Sequence, residues 1–152
     1  MTHAAQVKKV LVVCTGNTCR SPMAEALLRM EFFKKGYGAR VEVASCGTGT
    51  RDGIPAASES IFVMRNREVD ISSHRSRRLK PEFVKEASLI VAMNPSHSET
   101  LLAEYPEAKD KLLTFQIADP VGMSIRVYDE TFQVIQAQTK QNWPEIMKKL
   151  GF

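Results

Sequence analysis

Two kinds of apolar pattern alternate along the chain. Val10-Leu11-Val12-Val13 is a β-branched run with no polar alternation, the mark of a strand buried on both faces. After a short loop, Ser21-Pro22 suits a helix start, with serine as N-cap and proline at the first helical position. Met23, Leu27, Met30 and Phe33 then recur at three-to-four spacing, so a helix runs to about Lys35, where Gly36 and Gly38 stop it. Val41 and Val43 begin a second strand that ends near Ser45-Cys46-Gly47, and Ala57, Ile61 and Met64 mark a second helix. Leu89-Ile90-Val91-Ala92-Met93 is a third buried strand, Pro95 opens a helix through about Glu104, and Leu112-Leu113-Thr114-Phe115 is a short fourth strand. From Ser124 to about Gln141, the spacing of Tyr128, Phe132 and Ile135 predicts a last helix, which Pro144 breaks or restarts for a final turn.

Strands alternating with helices imply parallel strands joined by crossover helices. The expected fold is α/β, a three-layer sandwich with a four-stranded parallel sheet and helices on both faces. Sites in such sheets lie outside the carboxyl ends of the strands, which selects the loops after Val13, Cys46, Met93 and Phe115. No repeat, low-complexity run or linker divides the 152 residues, so residues 1–152 read as a single domain. Hydrophobic residues at 43% and charged residues at 25% describe an ordinary globular protein. No stretch approaches the roughly 18 apolar residues of a membrane span. The N-terminus has no apolar signal region, so the expected compartment is the cytoplasm, with no membrane partner.

Three cysteines cannot organise the fold as a disulfide framework. His3, His74 and His97 make no zinc-ligand spacing with them, and no metal is expected. A net charge of +4 suits an anionic partner. Interleaved aromatics and a basic stripe are missing, so nucleic acid is not expected.

The loop after the first strand carries the chemistry: Cys14-Thr15-Gly16-Asn17-Thr18-Cys19-Arg20-Ser21. Backbone N–H groups of such a loop, running into a helix N-terminus, form an anion cradle. The same field favours a thiolate on Cys14. Arg20 can fork two donors onto two phosphoryl oxygens. Gly16 and Asn17 tolerate the left-handed backbone of a tight cradle. The bland alternative is a buried structural cysteine beside a surface arginine. The apolar strand before it and the Ser-Pro helix start after it weigh against that alternative.

The string Val13-Cys14-Thr15-Gly16-Asn17-Thr18-Cys19-Arg20-Ser21-Pro22-Met23-Ala24-Glu25 resembles the signature of the low-molecular-weight protein tyrosine phosphatases, and the resemblance runs from Val10 to the last helix. It implies a cysteine-dependent phosphoprotein phosphatase. Cys14 attacks phosphorus and forms a phosphocysteine, Arg20 and the loop hold the phosphoryl oxygens, and Asp119 serves as general acid and then base. Asp119-Pro120 is the one Asp-Pro pair in the chain; by itself it would read as a plain turn. The resemblance further implies that Ser21 assists the departure of the Cys14 sulfur, that Asn17 shapes the loop, and that Ser45 and His74 brace Asn17 and Ser21. It implies phosphorylated proteins as partners, inorganic phosphate as product, no cofactor, and a monomer. Cys19 reads either as a redox partner for Cys14 or as a small filler, and Cys46 as filler. The run His74-Arg75-Ser76-Arg77-Arg78 reads as a solvated basic face.

The aromatic walls of phosphotyrosine enzymes are missing. Arg51 stands near one wall position, and Val121-Gly122-Met123 follows Asp119-Pro120, so stacking on a phenyl ring is weakened. Thr18 replaces a bulky aliphatic residue and resembles the branch that hydrolyses protein phosphoarginine, where the aspartate pairs with the guanidinium. Two rivals share the fold. An arsenate reductase needs two further cysteines beyond Cys46, and a phosphocysteine carrier needs neither the arginine nor the Asp-Pro pair.

Overall fold

Residues 6–152 are described by the computed structural model; the first five residues, His3 among them, lie outside the described residues. The observed order is β1 (Lys8–Cys14), α1 (Arg20–Lys34), β2 (Val41–Gly47), α2 (Ser58–Arg65), α3 (Pro81–Glu86), β3 (Leu89–Ala92), α4 (Pro95–Glu104), a 3-10 turn (Pro106–Lys111), β4 (Leu112–Thr114) and α5 (Ile125–Leu150). The four strands form one sheet in the order β2-β1-β3-β4, all parallel. The chain steps from β1 to β2 on one side and then crosses to β3 on the other. The strand order therefore reverses between β1 and β3, and a crevice opens at their carboxyl ends.

Each face of the sheet is dry, which explains the unbroken apolar runs. Val10 and Val12 of β1 join a core with Met23, Leu27 and Phe32 of α1, Val63 and Met64 of α2, and Phe132 and Ile135 of α5. Leu11 and Val13 face the other way, onto Val84 of α3, Leu101 of α4 and Ala108. Successive residues of a strand point to opposite faces, so a strand covered on both sides needs apolar side chains at every position.

Three features depart from the sequence expectation. The short α3 and the 3-10 turn were not anticipated, because six residues are too few to show a period. Helix α1 starts at Arg20, with Cys19 rather than Ser21 at the N-cap, because the Ser21 hydroxyl is committed to the loop. Helix α5 runs unbroken through Pro144 to Leu150 and ends on Gly151 in the left-handed conformation. An interior proline costs about 3 kcal/mol. The last two turns nevertheless bury Ile146 and Leu150 and set Trp143 against Phe32 at 4.9 Å between ring centroids. Each such burial contributes about 1.5–3 kcal/mol, so the packing outweighs the lost backbone bond. Among the described residues no helix is long and apolar enough to cross a membrane.

Candidate active site

The loop between β1 and α1 lies at the crevice, and its hydrogen bonds can be given a direction from their fixed ends. The backbone N–H of Arg77 donates to Asn17 Oδ1 at 2.8 Å. That end of the amide is therefore the acceptor, and Nδ2 must be the donor. Nδ2 donates to Ser21 Oγ at 2.8 Å and to Ser45 Oγ at 2.9 Å. The Ser45 hydroxyl in turn donates to Glu25 Oε1 at 2.8 Å. Ser21 Oγ, with a lone pair already occupied, lies 2.8 Å from Cys14 Sγ and has its proton free for the sulfur. The backbone N–H of Asn17 also donates to Cys14 Sγ, at 3.2 Å. Two donors thus converge on one buried sulfur, and the chain that orients them ends on the Glu25 carboxylate.

Asn17 is the pivot. It is fully buried and has φ of +56°, a left-handed turn that asparagine adopts more readily than most residues. Its carbonyl accepts from His74 Nε2 at 2.7 Å. Arg77 is only partly exposed and makes specific contacts, in contrast to the expectation for the basic run. Its Nε donates to the Ser45 carbonyl at 3.2 Å, and its guanidinium lies 4.2 Å over the Phe83 ring. The fold needs this backbone there to hold Asn17, while Arg75 and Arg78 are exposed.

Arg20 is buried in the first turn of α1, where Nη1 donates to the Ile117 carbonyl at 2.9 Å. Its other terminal nitrogen lies 3.7 Å from Asp119 Oδ2. Asp119 is 46% exposed at the mouth of the loop, and its Oδ1 accepts from the Val121 N–H at 3.1 Å. Val121 and Met123 beside it are exposed, as is Arg51. Gly16 and Thr18 are half-buried in the loop, and a Cβ on Gly16 would lie 3.6 Å from Thr18 Oγ1.

Sequence reasoning missed four participants. Glu25 lies one helical turn past Ser21, on the face of α1 that meets β2. Gly47, at the end of β2, leaves no room for a Cβ against the Thr15 carbonyl and Asn17 of the loop. The phenol of Tyr128, on α5, lies 3.3 Å from Cys19 Sγ. Burial pushes both groups up in pKa, so both stay protonated near neutrality. His97 follows β3, where the strand-end rule had pointed; its Nε2 lies 2.8 Å from Thr15 Oγ1. Burial, aided by the Arg20 charge, pushes the His97 ring down to about 4. Cys46, buried at the end of β2, is pushed up to about 12 by desolvation, as an inert filler would be. Among the described residues no cluster of three or more His, Cys, Asp or Glu side chains is placed to hold a metal ion.

The arrangement offers a sulfur nucleophile, a guanidinium and a carboxylate around one loop that caps a helix. Comparisons with known proteins bear on its use. The profile described as low molecular weight phosphotyrosine protein phosphatase matches residues 9–151. A protein of Ralstonia nicotianae named "Probable low molecular weight protein-tyrosine-phosphatase EpsP" is 35% identical over 151 residues, covering 95% of this chain and 99% of that one. A protein-arginine-phosphatase of Geobacillus stearothermophilus is 38% identical over 129 residues, covering 79% and 83%. The crystal structure of a low molecular weight protein tyrosine phosphatase from T. tengcongensis superposes with a TM-score of 0.80 at 37% identity, covering 88% of this chain and 99% of that one.

Proposed function

The chain belongs to the low molecular weight phosphotyrosine protein phosphatase family, and on that premise we propose that it dephosphorylates proteins in two steps through a phosphocysteine on Cys14, with phosphoarginine as its preferred phosphoresidue. The convergence of Ser21 and the Asn17 N–H on Cys14 Sγ carries the mechanism.

The Cys14 thiolate attacks phosphorus and forms the S–P bond as the bond to the leaving group breaks. Asp119 gives that group its proton. The resulting carboxylate then takes a proton from the water that attacks phosphocysteine. Inorganic phosphate leaves, and sulfur departs as thiolate. The Ser21 hydroxyl and the Asn17 N–H meet the charge returning to sulfur. Arg20, anchored on the Ile117 carbonyl, has its second terminal nitrogen free to hold phosphoryl oxygens.

Three observations support phosphoarginine as the substrate. Thr18 supplies a hydroxyl within the loop, Asp119 stands at the mouth as a partner for a guanidinium, and Val121-Gly122-Met123 after Pro120 offers no aromatic ring. The protein-arginine-phosphatase among the relatives is consistent with it. An aryl phosphate would meet no aromatic ring at the two wall positions.

The test is phosphate release from matched phosphoarginine and phosphotyrosine peptides, with Cys14→Ser and Asp119→Asn alongside. Hydrolysis of phosphoarginine that vanishes in Cys14→Ser is the expected result. Faster turnover of the phosphotyrosine peptide keeps the mechanism and refutes the preference. Hydrolysis that survives Cys14→Ser refutes the mechanism.

A further inference from the structure

His97 and Thr15 meet across the point where the strand order reverses, one from the end of β3 and the other from the end of β1. Their hydrogen bond is 2.8 Å long. The His97 ring is buried, and its Nδ1 has no hydrogen-bond partner. Three surroundings keep the ring neutral: burial, the nearby Arg20 charge, and the positive end of α4, in whose first turn His97 stands. Asp119 acts in the opposite direction and is outweighed.

A neutral imidazole carries one N–H, so two tautomers must be compared. With the proton on Nδ1, a buried N–H would have no acceptor, and Thr15 would spend its own proton on Nε2. With the proton on Nε2, the ring donates to Thr15 Oγ1 and a bare lone pair is left at Nδ1. Orphaned buried N–H groups are rarer than under-satisfied acceptors. A lone pair also suits the positive end of a helix. The second tautomer is therefore the one that this environment selects.

The consequence falls on Thr15. Its side chain lies between Gly49 and His97: a Cβ on Gly49 would lie 3.4 Å from its methyl, and its hydroxyl faces His97. One lone pair of that hydroxyl is taken by the ring, and Oγ1 makes no other hydrogen bond, so its proton is uncommitted. Thr15 is exposed, directly follows Cys14, and lies on the side of the loop where Arg20 and Asp119 act on His97. We infer that His97 is a positioning residue that turns the Thr15 hydroxyl into a proton donor for an oxygen of the bound phosphoryl group. The inference rests on the phosphate-loop reading above.

The test combines a spectrum with binding. Long-range proton–nitrogen spectra of the intact protein at pH 7 should show His97 protonated on Nε2; an Nδ1-protonated ring overturns the proposal. Inorganic phosphate binding, followed by titration, should weaken about tenfold in Thr15→Val, the loss expected for one hydrogen bond to a charged group. Thr15→Ser should bind within about twofold of the parent. His97→Phe, which removes no group that touches phosphate, should lose the same tenfold, and the double variant should lose no more than either single one. With p-nitrophenyl phosphate as the turnover probe, the loss should fall on KM, with kcat within about twofold, because the contact is equal in ground and transition states. Unchanged phosphate affinity in His97→Phe, or multiplicative losses in the double variant, overturns it. If the parent binds phosphate but turns over no phosphate ester, the hydrolase reading fails while the binding result still decides the role of His97.

Discussion

Gly47→Ala tests how tightly the second strand supports the loop. Gly47 ends β2, opposite Cys14 in the register of β1. Its φ is not positive, so it is glycine for space and not for conformation. A Cβ there would stand 2.9 Å from Thr50 Cγ2, 3.1 Å from Asn17 Cβ, and closer still to the Thr15 carbonyl oxygen. Gly47 cannot retreat, because its N–H donates to the Arg77 carbonyl at 2.8 Å and its carbonyl accepts from Leu79 at 2.9 Å. The loop must therefore move, by about half an ångström or more for ordinary contacts. That shift disturbs the bonds from Thr48 N–H to the Cys14 carbonyl and from Gly49 N–H to the Thr15 carbonyl, 2.9 and 3.0 Å long. Overpacking of this kind costs about 1–3 kcal/mol, or about 2–10 °C in Tm for a chain of this size. Displacement of the reacting groups on the ångström scale costs up to about 10²-fold in rate. Thermal unfolding and kcat/KM on a phosphoarginine peptide are the assays. A variant that loses Tm but keeps kcat/KM within about threefold would show that Thr50 and not the loop gives way, and would refute the reasoning.

Three further outcomes are expected. Asn17→Ala leaves Ser21, Ser45 and the Arg77 N–H without their shared partner and puts alanine at positive φ; we expect a loss of about 3 kcal/mol, read by urea denaturation, with activity falling alongside, and a parent-like midpoint would contradict it. His97 is held near 4 in the folded protein and returns to about 6.5 when unfolded. Its contribution is fully present above about pH 6.5 and is lost as pH falls toward 4, to a total of about 3 kcal/mol; His97→Phe should flatten the acid side of the stability curve by that amount, and superimposable curves would sink the assignment. Tyr128→Phe removes the phenol that meets Cys19 Sγ and favours its thiolate, while the ring that covers it stays; an alkylating probe should find Cys19 less reactive in the variant, and equal rates would argue that burial alone sets its reactivity.

The strands were legible because burial on both faces leaves no polar position to blur the pattern, and β2 was placed with its observed bounds. The loop residues from Cys14 to Ser21 were legible as a group because they are contiguous. Ser45 and His74 came only through the family resemblance, and the structure places both against Asn17. Arg77 was misjudged because charge runs usually face water, and nothing local shows that Phe83 and Ser45 will receive its guanidinium.

Local sequence determined which segments are strands and helices, that they alternate, and where the chain makes the tight turn from β1 into α1. Those properties depend on periodicity and on neighbours a few residues apart. The tertiary structure alone decided the direction of the proton network, which runs from Arg77 through Asn17 and Ser45 to Glu25. It also decided that His97 buries an unpartnered Nδ1 and that position 47 needs glycine. Each of these depends on which strands become neighbours across a reversal of order, and so on contacts between residues tens of positions apart. No pattern along the chain encodes such contacts until both faces of the sheet are packed.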